Sequence, residues 1–178
     1  MALKQFSLAL LACLAIPAHA QEMTSPIPVE LKECDYMIGH WVGKMTMPTG
    51  TGKDMEMDGT LDIEKTVDGH YIRQSHKLTG GGMGDMSGML MLTYDPVAKS
   101  WRSWWFDSSA PGVMEFSGNK EGDAMVLTSK PTDISGQSGL VMRSTWKKLS
   151  DTKAAYTIDM KEGDKWTTFL SGRFEKKG

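Results

Sequence analysis

The stretch that indicates the fold lies close to the N-terminus and reads Tyr36-Met37-Ile38-Gly39-His40-Trp41-Val42-Gly43-Lys44-Met45. A short apolar approach leads to a Gly-Xaa-Trp motif, and apolar and polar residues then alternate as they do in a half-buried β-strand. Upstream, Leu31, Cys34 and Ile38 share one helical face, so one or two helical turns are expected over Val29–Met37. We therefore predict the first strand of a small closed β-barrel, with Trp41 plugging the closed end beneath this helical approach.

Turn-forming residues divide the rest of the chain into short alternating runs. Turn signals such as Asp68-Gly69, Asp95-Pro96 and Pro111-Gly112 separate these runs. Ten short strands at nearly regular spacing favour an antiparallel barrel of eight to ten strands, with a jelly-roll-like sandwich as the alternative. The predicted strands are His40–Met47, Met55–Thr66, His70–Leu78, Gly88–Tyr94, Ser100–Asp107, Val113–Gly118, Ala124–Ser129, Leu140–Lys148, Ala154–Lys161 and Lys165–Phe174.

Three insertions interrupt the regular spacing of the strands. Pro48–Asp54 and Gly80–Gly84 are rich in glycine, and Pro131–Gly139 is polar. Glycine runs are poor strand interiors, so we expect loops at these places. Long loops gathered at one end of a barrel would form its mouth.

The first twenty residues have the three parts of a secretory signal peptide. Lys4 supplies a positive charge, Phe6–Ile16 is apolar, and Ala18-His19-Ala20 is a small-residue cleavage site. The apolar part is far shorter than the about 20 residues of a transmembrane helix. We expect secretion across the inner membrane into the periplasm. The expected organisation is a signal peptide at 1–20, a flexible leader at 21–30 and a single β-barrel domain at 31–178.

Charge and cysteine content limit the possible partners. Lys and Arg number 20 against 22 Asp and Glu, giving a net charge of −2. No basic run is present, so we expect no nucleic-acid partner, and no stretch after residue 20 resembles a transmembrane segment. The sequence favours no particular oligomeric state. Cys34 is the cysteine left after the predicted cleavage and is interpreted as a buried small hydrophobe, with intermolecular pairing or a reactive thiol as alternatives.

Several short motifs resemble those of known families. The segment Gly39–Gly43 resembles the opening strand of calycin-type barrels, the lipocalins and fatty-acid-binding proteins. Over roughly Leu31 to Phe174 the chain is more similar to a bacterial family catalogued as domain of unknown function number 1579. The motifs that carry this similarity are Gly39-His40-Trp41-Val42-Gly43, Asp68-Gly69-His70-Tyr71-Ile72, Leu92-Thr93-Tyr94-Asp95-Pro96, Trp104 with Asp107, and Lys161-Glu162-Gly163-Asp164-Lys165-Trp166.

The resemblance implies a calycin-like, lipocalin-like barrel and carries over no catalytic residues. Haem-binding barrels with the same glycine–tryptophan opening use a histidine on a late strand. No histidine follows His76 in this sequence, so the resemblance does not extend to haem ligation of that kind.

The candidate ligand site is a cavity lined by the methionine, tryptophan and phenylalanine faces of the strands. Arg73 and Arg143 lie in mid-strand among apolar neighbours, and an inward arginine would hold a ligand carboxylate through a bidentate pair. The alternative is that both point outward, which alternation favours for Arg143. The candidate ligand-binding residues are Trp41, Arg73, Trp104, Phe116, Met142 and Arg143.

Methionine is unusually abundant, with 15 residues in the chain. Its thioether binds soft Cu(I) and Ag(I), so paired methionines on one strand face give an alternative function as a soft-metal protein, with His40 or His76 as a further ligand. Adaptable packing around a ligand is the other interpretation. A hard-metal site is not expected, because His70 and His76 would lie about 20 Å apart on one strand. The paired methionines are Met45, Met47, Met55 and Met57.

No enzyme signature stands out in the sequence. A Gly-Xaa-Ser-Xaa-Gly elbow is absent, and the glycine run Gly80–Gly84 lacks the lysine of a phosphate loop. We therefore predict a secreted protein that binds a small apolar or amphipathic ligand, without a catalytic residue or a cofactor. The alternatives are the soft-metal protein, an enzyme whose site is assembled from distant residues, and a packed barrel that serves as an interaction domain.

Overall fold

The computed structural model describes residues 25–82, 84–134 and 136–178. The predicted signal peptide and residues 21–24 of the predicted leader lie outside these ranges. A 3-10 helix at Val29–Met37 precedes the strands. The strands are β1 Gly39–Met47, β2 Met55–Thr66, β3 Tyr71–Gly80, β4 Met86–Asp95, β5 Ser100–Asp107, β6 Ala110–Glu121, β7 Ala124–Ser129, β8 Thr132–Ile134, β9 Gln137–Leu140, β10 Met142–Ser150, β11 Lys153–Glu162 and β12 Lys165–Lys177.

Ten of these strands form a closed antiparallel barrel in the order β1-β12-β11-β10-β7-β6-β5-β4-β3-β2. The first and last strands close it, with His40 opposite Lys177 and Thr46 opposite Ser171. The predicted barrel is thereby confirmed, and the jelly-roll-like alternative is excluded. Because every barrel strand has a partner on both sides, the sheet presents no unpaired edge.

One predicted loop is instead a small hairpin outside the barrel. Strands β8 and β9 pair with each other within the polar stretch that follows β7. Asp133 Oδ1 accepts a hydrogen bond from the Gly139 backbone N–H at 2.8 Å, which fixes the end of this hairpin. The sequence of this stretch is polar and does not alternate, and its pairing was therefore not predicted from hydrophobic pattern.

The N-terminal helix covers one end of the barrel. Its apolar side chains Leu31, Cys34 and Met37 are buried above Trp41, whose side chain is fully enclosed. The indole Nε1 of Trp41 donates a hydrogen bond to the Met37 carbonyl oxygen at 2.7 Å, so the only polar atom of the indole is satisfied. Trp146 meets Trp41 edge to face at 5.5 Å between ring centroids. Together these groups fill the closed end.

The second glycine of the Gly-Xaa-Trp-Xaa-Gly motif has a packing role. A Cβ atom on Gly43 would lie 2.8 Å from Phe174 Cδ1 and 2.1 Å from the Arg173 carbonyl oxygen. Only glycine leaves the room that the Phe174 ring occupies against β1. The motif thus sets both the plug at the closed end and the packing of the two strands that close the barrel.

The opposite end of the barrel is open. Because neighbouring strands are antiparallel, the links after β1, β3, β5, β7 and β11 all lie at this end, away from the helix. The three insertions noted in the sequence, Pro48–Asp54, Gly80–Gly84 and Pro131–Gly139, are among these links. None of the helices in the described ranges is long and apolar enough to cross a membrane.

Candidate functional site

A cavity of about 200 Å³ occupies the interior near the open end of the barrel. It lies beyond the aromatic plug, and the strands supply its wall through their inward-facing residues. Phe169 and Ser109 are exposed and lie at its rim. The lining residues are Met45, Met47, Leu61, Gln74, His76, Leu78, Met86, Trp105, Asp107, Ser109, Met114, Met142, Tyr156, Ile158, Phe169, Leu170 and Phe174.

Most of the wall is apolar, and methionine is its most frequent residue. Met45, Met47, Met86, Met114 and Met142 come from four different strands and face the cavity. A methionine side chain has three rotatable bonds and a polarizable sulfur, so it adapts to irregular shapes. This part of the wall can therefore repack around ligands of different outline.

His76 is the most unusual residue of the wall. It is only 8% exposed, and its Nδ1 atom has no hydrogen-bond partner among the described residues. The imidazole packs against Trp105, with 4.6 Å between ring centroids and a tilt of 41°. Burial lowers the pKa of His76 from 6.5 to about 4, while the charge of Asp107 acts in the opposite direction. The ring is therefore neutral at physiological pH.

Gly88 makes room for this imidazole. In the β3–β4 register Gly88 is opposite His76, and in the β4–β5 register it is opposite Asp107. A Cβ atom on Gly88 would lie 2.5 Å from both Cε1 and Nε2 of His76. The ring consequently lies over the bare backbone of β4 and reaches towards Trp105 and Asp107 on β5.

Asp107 is held in a fixed position at the end of β5. Its Oδ2 accepts a hydrogen bond from Trp105 Nε1 at 3.0 Å. Its Oδ1 accepts from the backbone N–H and the Oγ hydroxyl of Ser109, at 2.7 and 2.5 Å. We call the group Gln74, His76, Asp107 and Ser109 the polar corner, because these side chains line one side of the otherwise apolar cavity.

Tyr156 and Gln74 separate the main cavity from a second, smaller one of about 30 Å³ that lies deeper in the barrel. Ser144 Oγ donates a hydrogen bond to the Tyr156 hydroxyl at 3.2 Å. Burial raises the pKa of Tyr156, so the phenol keeps its proton. The floor of the site is therefore polar but uncharged.

The structure places the six predicted ligand-binding residues in three different environments. Met142 lines the cavity, whereas Trp41 and Phe116 are buried core residues outside its wall. Arg73, Trp104 and Arg143 lie on the outer face of the barrel. Of the six residues predicted from the sequence, Met142 alone lines the cavity.

Both arginines have partners on the outside. Arg73 pairs with Glu64 on the neighbouring strand. Arg143 Nη2 lies 2.8 Å from Asp159 Oδ2, and its guanidinium lies 4.5 Å from the centre of the Trp166 ring. Neither arginine can hold a ligand carboxylate inside the cavity, so the inward orientation is corrected to the outward alternative. Trp104 is likewise outside, with the Arg102 guanidinium 5.6 Å from its ring centroid.

Sequence reasoning missed His76, Trp105 and Asp107 as site residues. The sequence suggested His76 only as a candidate metal ligand, yet its side chain is buried in the cavity wall. The alternation of β3 contains the signal, since Ile72, Gln74, His76 and Leu78 share one face and both apolar members are buried. Trp105 shares its inner face with Trp101 in the same way.

The four methionines of the soft-metal alternative form one patch on two paired strands. Met45 is opposite Met57, and Met47 is opposite Met55, in the β1–β2 register. Met45 and Met47 line the cavity, while Met55 and Met57 pack against Gly81. The described residues contain no group of three or more His, Cys, Asp or Glu that could hold a metal ion.

Cys34 belongs to the closed end and not to the cavity. It is free and buried, and burial raises the pKa of its thiol to about 12. A protonated, enclosed thiol is a weak nucleophile. Its environment is that of a small core hydrophobe.

Two solved structures have a similar fold. Rv2717c from M. tuberculosis is 12% identical with a TM-score of 0.58, and the match covers 86% of this chain and 100% of that one. The S-type phycobiliprotein lyase CPES from Guillardia theta is 12% identical with a TM-score of 0.54, covering 83% and 92% of the two chains. At these identities the likeness shows the fold alone.

The search of curated proteins found no match to the chain. The sequence profile of one family, described as protein of unknown function (DUF1579), matches residues 32–176. This match confirms the family resemblance noted in the motifs. The chain is therefore a member of the DUF1579 family.

Proposed function

We propose that the protein binds a small, predominantly apolar molecule in the cavity at the open end of the barrel. The observation that carries this proposal is the composition of the wall, in which methionine, leucine, isoleucine and aromatic side chains surround a few polar groups on one side. Small-molecule sites in proteins typically combine such an apolar wall with a small number of placed polar groups.

The volume of the cavity limits the size of the ligand. At about 200 Å³ it is smaller than the roughly 300–1,000 Å³ of common ligand pockets. It is larger than the about 150 Å³ cavity that holds benzene in an engineered protein. A single ring or a short alkyl chain fits inside, and a longer tail would leave through the open end.

We also propose that the chain is exported to the periplasm. The support is the sequence of residues 1–20, in which a positively charged start is followed by an apolar run and then by a small-residue cleavage site. Mass measurement of the protein from a periplasmic fraction tests this proposal. A mature chain that starts at Gln21 is expected, and a full-length chain in the cytoplasmic fraction would contradict it.

Ligand binding is tested by two tryptophan substitutions at neighbouring positions of β6. Met114 lines the cavity, whereas Val113 is 48% exposed on the other face of the strand. An apolar fluorescent dye should bind the wild type and the Val113→Trp control. In Met114→Trp the larger side chain fills the cavity, so dye binding should be lost or strongly weakened.

Thermal unfolding of both variants controls for misfolding. If Met114→Trp keeps its melting temperature and still binds the dye as the wild type does, the dye is not in the cavity and the proposal fails. If it binds less dye at unchanged stability, the cavity is the site.

A second candidate function is soft-metal binding, which the β1–β2 register favours by bringing four methionines together. Thioethers are soft ligands that suit Cu(I). Titration of Cu(I) against a competing chelator in reducing buffer tests this candidate, with Met45→Leu and Met57→Leu as paired variants. Submicromolar affinity that falls in these variants would support it, and weaker binding would end it.

A further inference from the structure

We propose that the cavity selects ligands whose polar end is an uncharged group that both donates and accepts hydrogen bonds, with a primary carboxamide as the best match. The polar end would lie at the floor of the site, which Gln74 and Tyr156 form. This inference rests on the ligand-binding function proposed above and adds the chemical class of the ligand and its orientation. It follows from the hydrogen-bonding capacity that these two buried side chains leave unused.

Gln74 lies on the inner face of β3 among apolar neighbours. It is only 6% exposed, and the residues opposite it are Ile63 on β2 and Leu90 on β4. Neither neighbour has a side chain that forms hydrogen bonds. Within the described ranges of the chain, the side-chain amide of Gln74 has no hydrogen-bond partner. Buried polar side chains ordinarily have one, so both the amide nitrogen and the amide oxygen are available to a ligand.

Tyr156 supplies a further donor at the floor. Like Gln74, it is buried and lines both the main cavity and the smaller one beneath it. Its hydroxyl oxygen accepts a hydrogen bond from Ser144 Oγ, so its own proton remains to be donated. Among the residues that the structure describes, none accepts this proton. The floor therefore offers at least two donor groups and one acceptor.

The smaller cavity determines the charge of a group that can lie at the floor. Its volume of about 30 Å³ exceeds the roughly 10–15 Å³ that a water molecule needs, so it has room for a small polar group. As far as the structure describes the chain, every residue of its wall is uncharged, and Gln74, Ser144 and Tyr156 are among its polar members. An ionised group placed there would lose its hydration without gaining an opposite charge, which is costly.

A primary carboxamide complements the groups at the floor. Its nitrogen can donate to the amide oxygen of Gln74, and its oxygen can accept from the Gln74 nitrogen or from the Tyr156 hydroxyl. An ester only accepts, so it would leave the Gln74 oxygen unpaired. The apolar part of such a ligand would then lie along the methionine side of the main cavity and point towards the open end.

The test compares three probes that share an eight-carbon acyl chain and differ in their polar end. Octanamide, methyl octanoate and octanoate compete with the apolar dye at pH 7. We expect octanamide to bind at least about 10-fold more tightly than octanoate, because the carboxylate would be buried without a cation. The second quantity is the ratio of the dissociation constants of methyl octanoate and octanamide, measured in the wild type and in variants.

Substitutions at Gln74 assign the preference for an amide. Gln74→Leu keeps the approximate size of the side chain and removes its amide. It should weaken octanamide and leave methyl octanoate bound at least as tightly as before, so the ratio should fall about 10-fold. Gln74→Met is a second variant of similar shape, which provides the same test if Gln74→Leu fails to fold.

A pair of tyrosine variants tests the placement at the floor. Tyr156→Phe removes one hydroxyl and should weaken octanamide about 2- to 10-fold, the factor that corresponds to one neutral hydrogen bond. Tyr71→Phe makes the same change on the outer face of β3, where Tyr71 lies against Trp104, and should leave binding unchanged. Unchanged octanamide binding in Tyr156→Phe would contradict the placement.

The outcomes separate this inference from the proposed function. If octanoate binds as tightly as octanamide, or if the ratio is the same in a folded Gln74 variant as in the wild type, the inference is wrong while the cavity remains a ligand site. If none of the three probes displaces the dye from the cavity, both the inference and the proposed function fail. A ratio that falls in the Gln74 variants and is kept in Tyr71→Phe supports both.

Discussion

His76 should make the barrel sensitive to acid, and replacing it should remove that sensitivity. Burial lowers the pKa of this histidine from 6.5 to about 4. Between these two values the unfolded chain binds a proton that the folded chain does not bind. Stability therefore falls as the pH decreases from about 6.5 towards 4 and is unaffected by this group above pH 7.

The magnitude follows from the two pKa values. For a single group with pKa values of 6.5 unfolded and about 4 folded, the loss of stability is roughly 2.5 kcal/mol at pH 4.5. His76→Phe keeps an aromatic ring against Trp105 and removes the titrating group. It also removes the unpaired Nδ1 atom, a buried polar group that costs about 1–3 kcal/mol. The variant should therefore be more stable than the wild type at pH 7.5, and the difference should grow on acidification.

Urea unfolding at pH 7.5, 5.5 and 4.5 measures this difference. The control is His40→Gln, which removes an exposed histidine and should leave the acid sensitivity in place. A difference between the wild type and His76→Phe that stays constant from pH 7.5 to 4.5 would refute the reasoning, because the folded chain would then bind the proton as readily as the unfolded chain. A less stable variant at pH 7.5 would refute the cost assigned to the unpaired nitrogen.

Three further predictions follow from the packing. Trp41→Ala should lower the free energy of unfolding by about 3–5 kcal/mol in urea titration, because it leaves a cavity in the core at the closed end. A loss below about 1 kcal/mol would contradict the role of Trp41 in filling that end. Gly88→Ala should destabilise the barrel by about 1–3 kcal/mol and weaken dye binding, since its Cβ would lie 2.5 Å from the His76 ring and from the Phe106 carbonyl oxygen. Unchanged stability would show that the His76 ring can move to another position without cost. Cys34 should react with a thiol reagent only after unfolding, and rapid reaction in native protein would contradict its burial.

The barrel could be predicted from the sequence because its signals are local. The Gly39–Gly43 motif marks the first strand, and turn-forming residues such as Asp68-Gly69 and Asp95-Pro96 mark the ends of others. The β8–β9 hairpin could not be predicted in the same way, since its strands are three and four residues long and their sequence shows no alternation of apolar and polar residues.

The site was harder to predict from the sequence. Alternation divides the residues of a strand between two faces, but it shows neither which face points into the barrel nor which end of the barrel a residue reaches. The inner face of β3 carries Gln74 and His76 while its outer face carries Arg73, so both faces are polar and the pattern does not separate them. Trp41 and Met142 both face inward, yet one fills the closed end and the other lines the cavity. Which end an inward residue reaches depends on the strand order and register, which only the closed barrel reveals.

The central claim is that the cavity holds a small apolar molecule. Native mass spectrometry of the protein from its own source tests it most directly, with the Met114→Trp and Val113→Trp variants prepared in the same way. The account predicts a bound small mass on the wild type and on Val113→Trp that is released by denaturation and missing from Met114→Trp. Bare protein in all three samples, or the same bound mass on Met114→Trp, would contradict it.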